Sequence, residues 1–403
     1  MVSTNMFLMA KSIAAVFSVI CLYLVFQSCT PVNTASPISS SQPAENKSES
    51  IWSRRYGKYP KLASWLGKKD EIIAGKKPYD LVMTAWFTPE EAASIKSQNP
   101  DVILLAGLSI NWVWDNLDWM TFLMTVAGYG RETPFIIDEN MYLHHQDGTR
   151  CAFGWASEQW GHEEIYAMNP ENQMWIELIT SFYKNVLEQP QHDGIIVDMV
   201  TEKSWCPEVI SDGEWVDATI QIFRRVQEIN TLHKPVIFNA GKNFSEIDSY
   251  RDYMDGYLME NFMGAQVKST FEEGLAAAGG DFSVIYAADT DDTGIKDMNK
   301  MRLGLTLSMM GDNTYFTYDF GPRDHGQAWW FPEYDVSLGN PLGAYYRKGD
   351  ACFRGFEKGV VVASPYSRTE VSLDSEHTDV TTGEKSNKFI IEKGDGRIFV
   401  KSD

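Results

Sequence analysis

Five polar residues stand at or just after the ends of short apolar runs from Gly194 onward. Asp198 closes Gly194–Asp198 (GIIVD), Asn239 closes Pro235–Asn239 (PVIFN) and Glu260 closes Gly256–Glu260 (GYLME), while Asp289 and Asp319 follow Phe282–Ala287 and Asn313–Tyr318. Two earlier runs lead into Asn111 and into Asp138 and Glu139. One such acid could merely cap the next helix. Several converging on one rim would raise some carboxyl pKa values and stabilise positive charge in a bound species, as an oxocarbenium-like transition state requires. Glycoside hydrolysis is the chemistry this suggests, with Asp198 and Glu260 as the working carboxyl pair. Two strands apart at about 4.8 Å per strand, they can reach opposite sides of a sugar, and both retaining and inverting separations stay open.

Other residues offer substrate contacts. Trp329, Trp330 and Glu333 fall in a loop after the last apolar run, where ring faces could floor a sugar subsite. Trp86 follows the first run, and Tyr142, His144, His145 and Asp147 cluster after the third. Adjacent histidines point apart and no HExxH-type spacing occurs, so no metal and no cofactor are expected and substrate hydrogen bonding is the preferred role. Asp289, Asp291 and Gly294 partly mimic a calcium loop but lack its closing Glu, which makes them a helix start.

Elements that could position these residues are visible from Tyr79 onward as brief β-rich runs alternating with amphipathic stretches. Eight strands are expected: Asp80–Thr84, Val102–Leu108, Pro134–Ile137, Gly194–Asp198, Pro235–Asn239, Gly256–Glu260, Phe282–Ala287 and Asn313–Tyr318. Helical periodicity marks Gln173–Leu187, Asp217–Leu232, Ser245–Tyr253 and Ile295–Met310. The expected fold class is α/β, a (β/α)8 TIM barrel, because parallel strands need covering helices and eight close without an edge. An open doubly wound sheet is disfavoured by the lack of a Gly-rich phosphate turn after the first strand. Beyond Arg347, short runs separated by Gly, Asp and Ser turns read as a small antiparallel β-appendage. The expected domains are a signal peptide at 1–28, a linker at 29–50, the barrel at 51–350 and the appendage at 351–403.

The chain of 403 residues is long enough for a sizeable core, and with 44% hydrophobic and 22% charged residues it is neither disordered nor a multi-span membrane protein. Its formal charge of -20 repels phosphate backbones, which argues against nucleic acid. Lys11, the apolar run Ser12–Phe26 and a small residue before Cys29 make a lipoprotein-signal layout with Cys29 as the lipidated residue. Phe26 and Gln27 depart from the usual Leu and small residue, so ordinary cleavage or a retained anchor helix are the alternatives. The membrane contact expected is this lipid anchor, in the bacterial cell envelope. Of five cysteines, Cys151, Cys206 and Cys352 fall in the folded body. Cys151 with Cys206 is the one conceivable pair, and free buried thiols are the expected state.

The motifs GIIVD and GYLMENF, with Trp329–Tyr346 (WWFPEYDVSLGNPLGAYY) and Phe353–Pro365 (FRGFEKGVVVASP), resemble a group of glycoside-hydrolase-like barrels of bacterial lipoproteins. These are distant relatives of the α-amylase and α-galactosidase superfamily. The likeness runs from about residue 51 to the end and is most specific over Trp329–Pro341. It implies a nucleophile at Asp198, by the fourth-strand Asp, and an acid/base at Glu260, where the α-galactosidase relatives usually carry Asp. The function expected is therefore hydrolysis of an oligo- or polysaccharide. Two alternatives stand beside it. A lyase or dehydratase acting on a uronate would use Tyr142, His144 or His145, with Arg150, Lys203, Lys242 or Arg323 as the counter-charge. A noncatalytic glycan-binding lipoprotein would keep the Trp residues without needing the acids.

Overall fold

The computed structural model describes residues 51–52, 58–75, 77–84, 86–114, 137–153, 164–239, 241, 244–260, 262 and 267–402. Eight parallel strands form one sheet: β1 (Ala63–Trp65), β2 (Leu81–Thr84), β3 (Ile103–Ser109), β6 (Gly194–Asp198), β7 (Val236–Asn239), β8 (Gly256–Met259), β9 (Ser283–Asp289) and β10 (Thr314–Asp319), adjacent in that order. A parallel bridge from Leu62 to Phe316, with Phe316 N–H donating to the Lys61 carbonyl at 3.0 Å, brings the first strand back to the last. Between β3 and β6 the chain inserts a two-stranded antiparallel sheet, β4 (Trp112–Trp114) with β5 (Ile165–Ala167).

The expected (β/α)8 barrel is present, with one strand exchanged. The eighth member is Ala63–Trp65, three residues too short for a period to show in the sequence. β3 pairs directly with β6, and the expected strand Pro134–Ile137 lies, but for Ile137, outside the described residues. Asp198 closes the fourth of the eight described barrel strands.

Helices cover the barrel: α1 (Lys69–Ile73), α2 (Pro89–Gln98), α3 (Gln173–Glu188), α4 (Asp212–Ile229), α5 (Val267–Ala277) and α6 (Met298–Ser308). Their starts are set by side chains. Thr88 with Glu91 and Ser211 with Glu214 form reciprocal capping boxes at α2 and α4, and Asn172 and Asp297 cap α3 and α6. Ser245–Tyr253, expected as a helix, is instead two 3-10 segments, Phe244–Glu246 and Asp248–Tyr253, a turn geometry that suits short connectors. Strand alternation divides the apolar residues. Ala63, Leu81, Met83, Ile103, Leu105, Ile196, Ile237, Leu258, Ile285 and Tyr315 fill the barrel, whereas Val82, Leu104, Ile195, Val197, Phe238, Tyr257 and Tyr286 face the helices.

The C-terminal residues form a six-stranded antiparallel sheet of β11 (Tyr346–Lys348), β12 (Ala351–Phe356), β13 (Gly359–Ser364), β14 (Thr369–Asp379), β15 (Lys385–Ile391) and β16 (Asp395–Lys401). It is larger than the expected hairpins, and it docks through α6. Arg302 on α6 makes a two-pronged buried ion pair with Asp395 (Nε to Oδ1 2.9 Å, Nη2 to Oδ2 3.0 Å). A Cβ on the neighbouring Gly396 would sit 2.7 Å from the Arg302 carbonyl oxygen, so glycine is what lets strand and helix approach. Arg354 of β12 donates to the carbonyls of Met309 (3.0 Å) and Gly311 (2.7 Å), satisfying acceptors at the end of α6. Asp395→Ala would leave Arg302 buried without its carboxylate and should lower unfolding stability by about 3–5 kcal/mol, read by urea denaturation.

Candidate active site

The inward alternation that fills the barrel also decides which groups reach its mouth. Counting two residues on from an inward core residue gives Trp65 after Ala63, Asp198 after Ile196, Asn239 after Ile237, Glu260 after Leu258 and Asp289 after Ala287. Asp319 follows Tyr315 by two such steps, and parallel register aligns Asp319 with Asp289 and Ser109 with Asp198. All stand at the carboxyl ends of the strands, where barrels carry their reactive groups. The backbone just beyond three of these ends is in the left-handed region at non-glycine residues: Leu66 (φ 49), Met199 (φ 54), and Asp291 and Asp292 (φ 53 and 58). Such conformations cost on the order of 1 kcal/mol or more each and cluster where a site dictates the backbone path.

Two carboxyl groups organise the mouth. Asp198 Oδ1 accepts from Asn239 Nδ2 at 2.7 Å and from the Met199 amide at 2.9 Å. Glu260 Oε1 accepts from the Trp65 indole N–H at 2.7 Å and lies 3.5 Å from His325 Nε2. The other imidazole nitrogen, Nδ1, is 3.0 Å from Asp319 Oδ2. Each carboxyl is therefore held by one oxygen. Among the described residues, Asp198 Oδ2 and Glu260 Oε2 take no hydrogen bond, which leaves each group an oxygen for a ligand.

Burial, and after it the charge of Glu260, pushes the Asp198 carboxyl up to about 6, against the two donors that favour its ionised form. Burial opposes charge on His325, yet the hydrogen bond and charge of Asp319, with Glu260 and Asp198 beyond it, outweigh that and push the imidazole up to about 9. Burial also raises Asp319, with His325 pulling the other way. At neutral pH the cluster thus carries one imidazolium among three acids. An arrangement of this kind can hold a proton on one carboxyl, leave the other ionised, and absorb negative charge as the proton leaves.

His325 and Trp65 were not singled out in the sequence. His325 had a legible signal, lying six residues past Asp319 in the loop after the last barrel strand; Trp65 had none, because its strand is three residues long.

The structure brings Asp198, Asn239, Glu260, Asp289 and Asp319 to the strand ends. Asp289 is engaged by the Asp291 amide (2.8 Å) and by Lys300 on α6 (3.4 Å). Trp329 and Trp330 are half-buried in the loop after β10. The Lys296 ammonium sits 4.5 Å above the Trp329 ring, and the Trp330 indole N–H donates to Asp335 at 2.8 Å while its ring packs edge-on to Tyr79 and Tyr334. Glu333 is buried and accepts from Thr381, next to β14. Asn111 donates to Thr219 on α4 at 3.1 Å, and Trp86 packs edge-on against Phe182 of α3 and His192.

Asp138, Tyr142, His144 and His145 form a separate group around the β4–β5 sheet. Asp138 accepts from the Asn140 amide at 2.9 Å, and Arg150 lies 3.9 Å over the Tyr142 ring. His144 pairs with Glu139 at 2.8 Å and His145 with Glu208 at 2.7 Å. Beside them, Cys151 is joined to Cys206 in a disulfide, a correction to the expectation of free thiols; Cys352 is free and buried. Of the four cations considered as counter-charges, Arg150, Lys203 and Arg323 pair with Glu139, Asp212 and Asp292, and Lys242 lies outside the described residues.

The family model of hypothetical glycosyl hydrolase family 15 matches residues 136–360, a span that includes Asp198, Asn239, Glu260, Asp289, Asp319 and His325. No curated protein matches the chain. Among solved structures it is similar to isomalto-dextranase from Arthrobacter globiformis T6, at 9% identity and a TM-score of 0.49 over 91% of this chain and 76% of that one. It is also similar to a noncanonic maltogenic α-amylase from Thermotoga neapolitana, at 8% identity and a TM-score of 0.48 over 85% of this chain and 99% of that one. A third likeness is to α-L-fucosidase isoenzyme 2 from Paenibacillus thiaminolyticus, at 11% identity and a TM-score of 0.44 over 65% of this chain. The chain spans 46% of that fucosidase's length. With more than half of its residues inside the matched span, the chain belongs to hypothetical glycosyl hydrolase family 15, which places it among the carbohydrate-active enzymes.

Proposed function

We propose that the protein is a glycoside hydrolase that cleaves an oligo- or polysaccharide across the barrel mouth, with Asp198 as nucleophile and Glu260 as acid/base. The observation that supports this best is the carboxyl pair at the ends of the fourth and sixth barrel strands, each held by one oxygen and each within the electrostatic reach of the other. In this reading Asp198, as a carboxylate, attacks the anomeric carbon while Glu260 delivers a proton to the leaving oxygen. As Glu260 protonates the leaving oxygen it becomes a carboxylate beside the His325 imidazolium, which stabilises the charge just formed. Water then enters, Glu260 takes its proton, and the sugar leaves Asp198.

Asp198→Asn and Glu260→Gln should each cut turnover by several powers of ten while the fold and ligand binding survive, since neither changes volume much. Azide should rescue both, giving one anomer of glycosyl azide when the nucleophile is missing and the other when the acid/base is missing. Two variants at full activity on a substrate found by mass-resolved glycan screening would reject the pair.

The pH profile follows from the same cluster. Activity should fall below about 6 as Asp198 takes a proton and ceases to be a nucleophile. It should fall again above about 9 as His325 loses the proton that supports the Glu260 carboxylate. His325→Asn should displace the alkaline limb, and an alkaline limb unchanged by that substitution would contradict the role given to His325.

The N-terminal layout supports a second element of the reading, attachment to the bacterial cell envelope through lipid on Cys29, a residue outside those described. Cys29→Ser should shift the protein from the membrane to the soluble fraction; unchanged fractionation would reject lipidation there.

A further inference from the structure

The disulfide between Cys151 and Cys206 is not an isolated crosslink. His145 Nδ1 and Glu208 Oε1 lie on top of it, and these two atoms and the two sulfurs are all within 4.8 Å of one another. Cys206 Sγ is 3.9 Å from His145 Nδ1 and 3.4 Å from Glu208 Oε1, and the His145 and Glu208 atoms are 2.7 Å apart. A tetrahedral Zn2+ with bonds of about 2.0–2.3 Å has donor-to-donor edges of about 3.3–3.8 Å. Two edges of such a tetrahedron, Cys206 to His145 and Cys206 to Glu208, are thus already close to size; an ion would open the His145–Glu208 contact by about half an ångström, and Cys151 Sγ, within 4.8 Å of the other three atoms, would separate from Cys206 Sγ.

We propose that, once the disulfide is reduced, Cys151, Cys206, His145 and Glu208 bind one Zn2+ ion, so that the same crosslink exists as a disulfide or as a metal site.

The donor set selects the ion. Two thiolates and an imidazole suit Zn2+ and disfavour Ca2+ and Mg2+, which prefer oxygen donors. The surroundings suit a structural site as well. Leu143, Phe153, Ile165, Ile210 and Trp215 enclose the sulfurs, while His145 and Glu208 are partly exposed and give an ion a way in. Two donors flank a hairpin turn fastened by His145 N–H to the Thr149 carbonyl (2.8 Å) and Cys151 N–H to the Leu143 carbonyl (2.9 Å). The other two lie on the segment running from β6 to α4, and it is this segment that begins at Met199, next to Asp198. Either form of the crosslink ties that segment to the hairpin.

Reduction by a trialkylphosphine balances as follows. Phosphorus attacks one sulfur and the other leaves as a thiolate; water then converts the phosphorus–sulfur adduct to phosphine oxide and the second thiol. Zinc binding displaces the thiol protons.

The test uses the full chain, with no substrate needed, so its result is independent of the glycosidase reading. Protein reduced with the phosphine under argon, desalted and exposed to Zn2+ should retain one equivalent through gel filtration, and the disulfide form should retain none. Co2+ in place of Zn2+ should give thiolate-to-metal charge-transfer absorption in the reduced form alone. Cys206→Ser should abolish retention, and His145→Gln, a change on the surface that leaves the cysteines intact, should weaken it roughly tenfold or more. No zinc on the reduced chain, or equal retention by His145→Gln, would overturn the proposal.

Discussion

Parallel pairing with a period of two is the constraint from which the rest of this molecule follows. Once Ile196, Ile237, Leu258 and Ala287 point into a closed barrel, the residues two positions later have no choice but to point the same way, one level higher, where the core ends and solvent begins. The apolar level below excludes water from one side of the acids above it. A slip of one residue in any strand would send its acid to the helix layer and an aliphatic residue to the mouth. Core packing and site placement are therefore the same decision, and mutations that disturb the barrel filling should be felt at the mouth.

Gathering acids at one low-dielectric rim is costly, and the structure meets that cost in several ways. Asp198 draws on an amide and a backbone N–H, Glu260 on an indole and an imidazolium, Asp289 on an ammonium, Asp319 on the same imidazolium. His325 is the centre of this arrangement, touching two of the acids and influenced by a third. A cation held there by burial and paired acids resists moving, so its charge is available without reorganisation when Glu260 changes protonation state. The C-terminal sheet solves a different problem by related means: Arg302 and Arg354 neutralise or satisfy what α6 buries when it is sandwiched between barrel and sheet.

The insertion between the third and fourth strands is organised around the Cys151–Cys206 crosslink instead. Within it Arg150 pairs with Glu139 and covers Tyr142, and His145 pairs with Glu208 on the segment that follows β6. A cluster that satisfies itself can be carried beside a barrel without disturbing the ladder. It also fastens the segment that leaves Asp198, whose first residue holds the strained φ of Met199.

Features that depend on near neighbours along the chain could be read from the amino-acid order. Strand-length apolar runs, the acids that end them and the antiparallel runs after Arg347 were legible, since alternation acts within a few residues, whereas the cap at Ser211 and Glu214 starts α4 at Asp212, ahead of the Asp217 expected from periodicity. Seven of the barrel strands were therefore recognisable, together with Asp198 and Glu260. Contacts between distant segments were set by folding alone: Trp65 of the three-residue β1 reaching Glu260, His325 reaching Glu260 across the mouth, Cys151 meeting Cys206, and Ala63–Trp65 taking a place in the barrel sheet. Closure of the barrel makes these neighbours. A strand of three residues has too little periodicity to announce itself, and it becomes a strand because Leu81 and Phe316, far away in sequence, present the two edges that it fills.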